Sequence, residues 1–194
     1  MKKRFNRGRL IILSGPSGSG KTSIHEILLA DKRLKGKVVR SVSMTTRSAR
    51  SGERHGRDYF FVSHKMFEYK IRTGQMLEWA KVFASYYGTP AKPVRELLNQ
   101  GKHVLLCIDV QGAKQVMKTF PDAISIFIKA PSLRELERRL KNRASEGPKE
   151  RRVRLKIAKK ELEQARYYQS VIVNDKLPIA CRDAAQEILK RIKN

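Results

Sequence analysis

Residues 15–22, Gly-Pro-Ser-Gly-Ser-Gly-Lys-Thr, satisfy the pattern G-x-x-x-x-G-K-[ST], and residues 10–13, Leu-Ile-Ile-Leu, precede them as a short apolar run. That pairing constrains the fold more than any other stretch, because the loop works only between a buried strand and the start of a helix. Glycines let the backbone wrap an anion with its N–H groups inward, and the following helix turns its positive end toward the same charge. Residues 22–30 are compatible with that helix. The segment therefore reads as a polyphosphate cradle. Gly15, Pro16, Ser17, Gly18, Ser19 and Gly20 supply the backbone, Lys21 reaches the β and γ phosphates of a nucleoside triphosphate, and Thr22 holds Mg²⁺.

Further apolar runs at 38–42, 104–108, 124–128 and 171–173 predict buried strands, and most of the segments between them have helical periodicity. Strand and helix in alternation imply an α/β fold with a parallel sheet. Ser132 with Glu135 forms a capping box opening a helix over 133–142, and the amphipathic stretch 179–192 closes the chain as another. Between 43 and 90 the pattern changes to a turn-rich stretch at 48–56, an aromatic run at 59–62, and two further segments at 76–79 and 86–88. This predicts a small β-containing insertion at 43–90 on a core of 9–42 and 91–194, preceded by a basic arm at 1–8 that reads as a solvated tail.

A chain of 194 residues fits one such domain and can bury a substantial core. Cys107 and Cys181 make no metal-ligand spacing with each other or with the histidines, which points to a reducing, cytoplasmic setting. No apolar stretch approaches the roughly 20 residues that cross a bilayer, so no membrane partner is expected. The net charge of +25, from 43 Lys and Arg against 18 Asp and Glu, attracts polyanions, but phosphorylated small molecules and nucleic acids answer that description equally. The signature of the common RNA-binding modules, basic residues interleaved with aromatics, is absent, and nucleic acid enters only as a secondary, charge-driven partner. From 138 to 160 there are eleven basic residues and two acidic ones, with Gly147-Pro148 between two basic helices. Solvated helix faces account for many of these; a hinged lid at about 142–154, swinging arginines onto a phosphoryl group, accounts for the joint.

Beyond the phosphate loop, the segments Ser43-Met44-Thr45-Thr46-Arg47-Ser48-Ala49-Arg50, Gly56-Arg57-Asp58-Tyr59, Leu77-Glu78-Trp79, Tyr86-Tyr87-Gly88-Thr89 and Ile108-Asp109-Val110-Gln111-Gly112 occur in order along the chain. In that order and spacing they resemble the guanylate kinases, over essentially the whole chain from about Arg9. The resemblance implies a P-loop nucleoside monophosphate kinase-like fold, with a parallel sheet flanked by helices, a GMP-binding insertion and a helical lid. It also implies the reaction, transfer of the γ-phosphoryl group of MgATP to GMP or dGMP.

Carried over position by position, the resemblance makes Arg47 and Arg50 a clamp on the GMP phosphate, with the Tyr59 and Tyr87 hydroxyls completing it, which suits a dianion. Glu78 accepts from guanine N1–H and the N2 amine, while Ser43 and Thr89 donate to O6 or N7, a set that adenine would leave unpaired. Asp109, at the end of the run 104–108, orients Mg²⁺ beside the phosphate loop and contributes to GMP binding. Arg139, Arg143 and Arg154 match arginines that face phosphates, and Asn174 matches the loop on the adenine side. Read without the resemblance, Glu78 is equally a surface acid beside a core Trp, the tyrosines are core filler, and Asp109 caps the helix that follows it. The chain departs from the family at Cys107, where relatives place a second acid, and at Ala84-Ser85, His55 and Asn142-Arg143-Ala144. The alternatives are a kinase of another small phosphate ester such as a ribose bisphosphate, a non-catalytic module of the same fold, and an RNA-binding protein.

Overall fold

The structure, a computed structural model, describes residues 7–141 and 148–193, and for 148–151 the backbone alone. In chain order, β1 (Leu10–Ser14), α1 (Lys21–Ala30) and β2 (Val38–Arg40) come first. They are followed by β3 (Met44–Thr45), β4 (Phe60–Phe61), α2 (His64–Arg72), β5 (Met76–Val82) and β6 (Ser85–Pro90). The rest comprises α3 (Ala91–Asn99), β7 (His103–Cys107), α4 (Val110–Thr119), β8 (Ile124–Lys129), α5 (Leu133–Lys141), α6 (Pro148–Glu163), a 3₁₀ turn (Gln164–Tyr167), β9 (Ser170–Val173) and α7 (Leu177–Ile192).

Five strands form a parallel sheet in the order β2-β7-β1-β8-β9. Successive side chains of a strand point to opposite faces, and here both faces are covered. Ile11 and Leu13 pack with Ile24 and Leu28 of α1 and with Ala180, Ala184 and Ile188 of α7. Leu10 and Ile12 pack on the other side with Val94 and Leu98 of α3 and Val110 and Val116 of α4. This two-sided burial is why β1, β7 and β8 read as unbroken apolar runs rather than alternating ones. Each such Leu or Ile contributes about 1.5–3 kcal/mol on leaving water. A smaller cluster, Ala130, Leu136, Leu140 and Ala158, joins α5 to α6.

Two local expectations are modified. Strand β2 stops at Arg40 instead of continuing to 42, because the chain leaves this sheet to enter another: Ser43 accepts a backbone bond from Phe60 at 2.8 Å. The capping box is half made. Ser132 Oγ accepts the Glu135 N–H at 3.1 Å, but the Glu135 carboxylate is drawn to Arg138 and Arg139 at 2.7 Å rather than back to the helix start.

A second, mixed sheet has the order β4-β3-β6-β5 and lies entirely within residues 44–90. Strands β5 and β6 form an antiparallel hairpin closed by Phe83 and Ala84, and its register sets Glu78 opposite Thr89. Strand β5 is an outer strand, and Gln115 of α4 pairs with it as a neighbouring strand would. Its amide donates to the Trp79 carbonyl at 2.6 Å and its oxygen accepts the Trp79 N–H at 3.2 Å.

Candidate active site

The carboxyl ends of the parallel strands converge where ligands of open α/β sheets collect. Leu13 of β1 is level with Cys107 of β7, so the phosphate loop and Asp109 leave the same edge side by side. Gly20 caps α1 with φ 90°, and no side chain caps that helix, which leaves its first N–H groups for an anion. A Cβ at Gly20 would lie 2.2 Å from Asn174 Nδ2, the amide that braces the loop by donating to the Ser19 carbonyl at 2.8 Å. The structure thus engages Asn174 in shaping the loop. Lys21 folds back over it, donating to the Gly15 and Pro16 carbonyls at 2.6 and 3.0 Å.

Asp109 caps α4, its Oδ1 accepting the Gly112 N–H at 2.7 Å, so the capping and site readings are both satisfied by one side chain. Burial raises its pKa above the ordinary carboxylate value, with the Gly112 N–H and Lys21 opposing the shift. Thr22 lies on the first turn of α1 across the cleft. A hydroxyl and a carboxylate are hard oxygen donors suited to Mg²⁺, which completes its shell with water and phosphate oxygens rather than an all-protein cage. The residues present therefore fit the ion.

Helices α5 and α6 supply Arg139 and Arg154. Arg139 donates to Glu135 Oε1 at 2.7 Å and to the Asn174 carbonyl at 2.9 Å, next to the loop. Arg154, on α6, places Nη1 3.5 Å from Ser17 Oγ. Arg143 lies outside the described residues. A residue not singled out from sequence joins them: Glu161 of α6 faces Lys21, Asp109 and the Ser17 N–H. Burial, opposed by Lys21, pushes its carboxyl up to about 7.

On the other side of the cleft the register brings Glu78, Thr89 and Ser43 together. Glu78 is 3% exposed, and Thr89 Oγ1 donates to its Oε1 at 2.6 Å; Ser43 Oγ stands 3.5 Å from Thr89 Oγ1. Burial pushes the Glu78 carboxyl up to about 7 against the hydrogen bond from Thr89. Gly112 closes the pocket: a Cβ there would sit 2.1 Å from Glu78 Oε2. Only glycine permits that approach, and α4 therefore touches Glu78 directly.

A second cluster is built around Arg47. Its Nη2 donates to Glu53 Oε1 at 2.9 Å and its Nη1 to the Ser48 carbonyl, while its Nε is buried without a hydrogen-bond partner among the described residues. Tyr59 lies beneath it, ring centroid 5.6 Å from the guanidinium carbon, and meets Tyr87 edge to face at 6.2 Å. Burial pushes the Tyr59 phenol up to about 12, so it remains a neutral donor. Glu53 also accepts the Arg50 N–H at 2.8 Å, tying the two arginines together; Arg50 itself is exposed. Although burial opposes its charge, Arg47 and the Arg50 N–H hold the Glu53 carboxyl below its usual value. The spacing of Glu53, three residues after Arg50, was the available sequence signal for this turn.

Thr22, Ser43, Glu53, Tyr59 and Cys107 line one cleft, so the end of the phosphate loop opens on the same space as Ser43, Glu53 and Tyr59. Burial keeps the Cys107 thiol protonated, placing a neutral group where an acid was expected. The assembled groups can hold a polyphosphate beside a monophosphate and neutralise both.

Comparison with known proteins agrees with this arrangement. The family model for guanylate kinase matches residues 7–191. The guanylate kinase of Streptococcus thermophilus is 46% identical over 174 residues, covering 90% of this chain and 82% of that one. That of Lactobacillus johnsonii is 44% identical over 170 residues, covering 88% and 82%. The crystal structure of guanylate kinase from Anaplasma phagocytophilum superposes with a TM-score of 0.80 at 33% identity, covering 97% of this chain and 88% of that one.

Proposed function

The chain belongs to the guanylate kinase family, the ATP:GMP phosphotransferases, and from that premise we propose how its own residues divide the reaction. ATP lies along the phosphate loop, with the N–H groups of residues 15–22 on its phosphates and Lys21 released from the Gly15 and Pro16 carbonyls to meet the β and γ oxygens. GMP or dGMP lies across the cleft, its phosphate held by Arg47, Arg50, Tyr59 and Tyr87 and its base by Glu78, Thr89 and Ser43. Thr22 and Asp109 hold Mg²⁺, which when bound supplies charge neutralisation at the phosphates. Arg139, Arg143 and Arg154 close over the transferring group and exclude water. No covalent enzyme intermediate is needed, because positioning and charge neutralisation supply the catalysis.

The observation that carries the reading is the buried Glu78–Thr89 pair within reach of Ser43. A carboxylate held out of water is costly unless its remaining oxygen finds donors, and guanine presents two on one edge. A sugar phosphate has no use for that set, a non-catalytic module has none for an intact phosphate loop, and neither alternative is favoured. A cytoplasmic setting follows from the substrates. The test is a coupled assay with MgATP against GMP, dGMP, AMP, UMP and a sugar phosphate. Activity confined to the guanine nucleotides is expected, on the order of 10⁴-fold over AMP, and equal use of AMP overturns the base-reading assignment.

A further inference from the structure

Phe83 closes the β5–β6 hairpin at φ 55°, the one non-glycine residue at positive φ among those described, and 49% of its surface is exposed. A bulky residue is disfavoured both ways there, since left-handed backbone suits Gly, Asn or Asp and an apolar ring gains nothing from water. Strain held at an exposed position is a pointer to use rather than to folding. What the ring touches identifies the use. The Arg154 guanidinium carbon lies 5.0 Å from the Phe83 ring centroid, within the distance at which a cation is attracted to a ring face. The same guanidinium reaches Ser17 Oγ in the phosphate loop. One arginine therefore spans from the tip of the hairpin that carries Glu78, Tyr87 and Thr89 to the loop that holds ATP.

We propose that Phe83 is a positioning residue for the phosphoryl transfer: its ring seats Arg154 over the phosphate loop, so that the guanine-reading hairpin sets the place of a lid arginine. The proposal rests on the assignment of Arg154 to the transferring phosphate. Coupling of this kind has a clear benefit. Through this contact the hairpin that carries Glu78 and Thr89 and the arginine at the phosphate loop share one position, which links acceptor recognition to the step that follows it. Because the role proposed for Phe83 runs through Arg154, its expected effect is on kcat and not on the Michaelis constant for GMP.

Steady-state kinetics on Phe83→Leu, Phe83→Trp, Arg154→Ala and the Phe83→Leu/Arg154→Ala double variant test this, with thermal midpoints recorded for each. Phe83→Leu is expected to lower kcat about fivefold while KM for GMP stays within twofold, and Phe83→Trp to recover most of that loss, since Trp offers the stronger face to a cation. In the Arg154→Ala background, Phe83→Leu should cost nothing further. Phe83→Gly relaxes the backbone and keeps the tip folded, so a lowered kcat with an unchanged or higher thermal midpoint also supports the proposal. Multiplicative effects in the double variant, a Leu variant equal to wild type, or a Trp variant no better than Leu overturn it. An Arg154→Ala enzyme as active as wild type removes its premise and overturns it too. Failure of wild type to phosphorylate GMP would be seen in the same assay and is a separate result, directed at the substrate assignment.

Discussion

Thr89 Oγ1 donates to Glu78 Oε1 across 2.6 Å in a pocket where Glu78 is 3% exposed. Burial raises the Glu78 carboxyl to about 7, which places its titration inside the working range of an enzyme assay. The proposed contact with guanine N1–H and N2–H needs the ionised form as acceptor. The Michaelis constant for GMP is therefore expected to be flat above pH 7.5 and to rise about tenfold per unit as pH falls below 6.5, while that for ATP stays level. In Glu78→Gln the acid-side slope should vanish along with most of the affinity. A slope that survives the substitution assigns the titration elsewhere.

The same shift has a stability side. A carboxyl whose folded pKa lies above its unfolded one favours the fold below the unfolded pKa, and that contribution is lost as pH rises through the folded value. Between pH 4.5 and 7 the unliganded protein should accordingly lose ground relative to Glu78→Gln, by roughly 3 kcal/mol in all from a shift of this size. Thermal midpoints of the two proteins across that range, without nucleotide, measure the gap; a constant difference contradicts it.

Gly112→Ala should be damaging for a reason helix propensity reverses. In the first turn of α4 an alanine would ordinarily stabilise by up to about 1 kcal/mol. Here its methyl would fall 2.1 Å from Glu78 Oε2 and 3.4 Å from Asp109 Oδ1. The expected outcome is a rise of at least tenfold in the Michaelis constant for GMP, with that for ATP nearly unchanged. Isothermal calorimetry with GMP alone gives the same comparison without turnover.

Glu53→Ala separates the two arginines that Glu53 links. Loss of the splint leaves Arg47 held only by the Ser48 carbonyl and the aromatic rings beside it, and the Arg50 N–H without its acceptor, at about 1–3 kcal/mol for a charge-assisted pair. GMP affinity should fall about tenfold and kcat less. Tighter GMP binding in the variant would mean that Glu53 competes for the clamp instead of building it.

Lys21→Met removes the ammonium now held on the Gly15 and Pro16 carbonyls. Turnover should fall by at least 10³-fold, and calorimetric GMP binding should change less than threefold. Retained turnover would displace Lys21 from its assigned part.

How much of this was readable in advance differs by element. Strands β1, β7 and β8 were legible because burial on both faces leaves a continuous apolar run, and the loop after β1 carries its own pattern. The hairpin was legible only in pieces: Trp79 and Lys81 face outward, and its tip, Phe83-Ala84, lacks the residues that mark a tight turn. Glu78, Ser43 and Thr89 could be named from the family resemblance, yet their meeting depends on a register that pairs Glu78 with Thr89. Contacts such as Gly112 with Glu78, Gln115 with Trp79 and Arg154 with Phe83 join residues more than thirty apart, where local periodicity carries no signal. Their partners are chosen by how the second sheet sits on the first.

The Gln115 amide has one more effect, apart from the chemistry. An outer strand with open N–H and C=O groups invites a stranger to zip alongside it. By filling both groups of Trp79 from a helix, the chain shields part of that border, so the hairpin offers less template for aggregation.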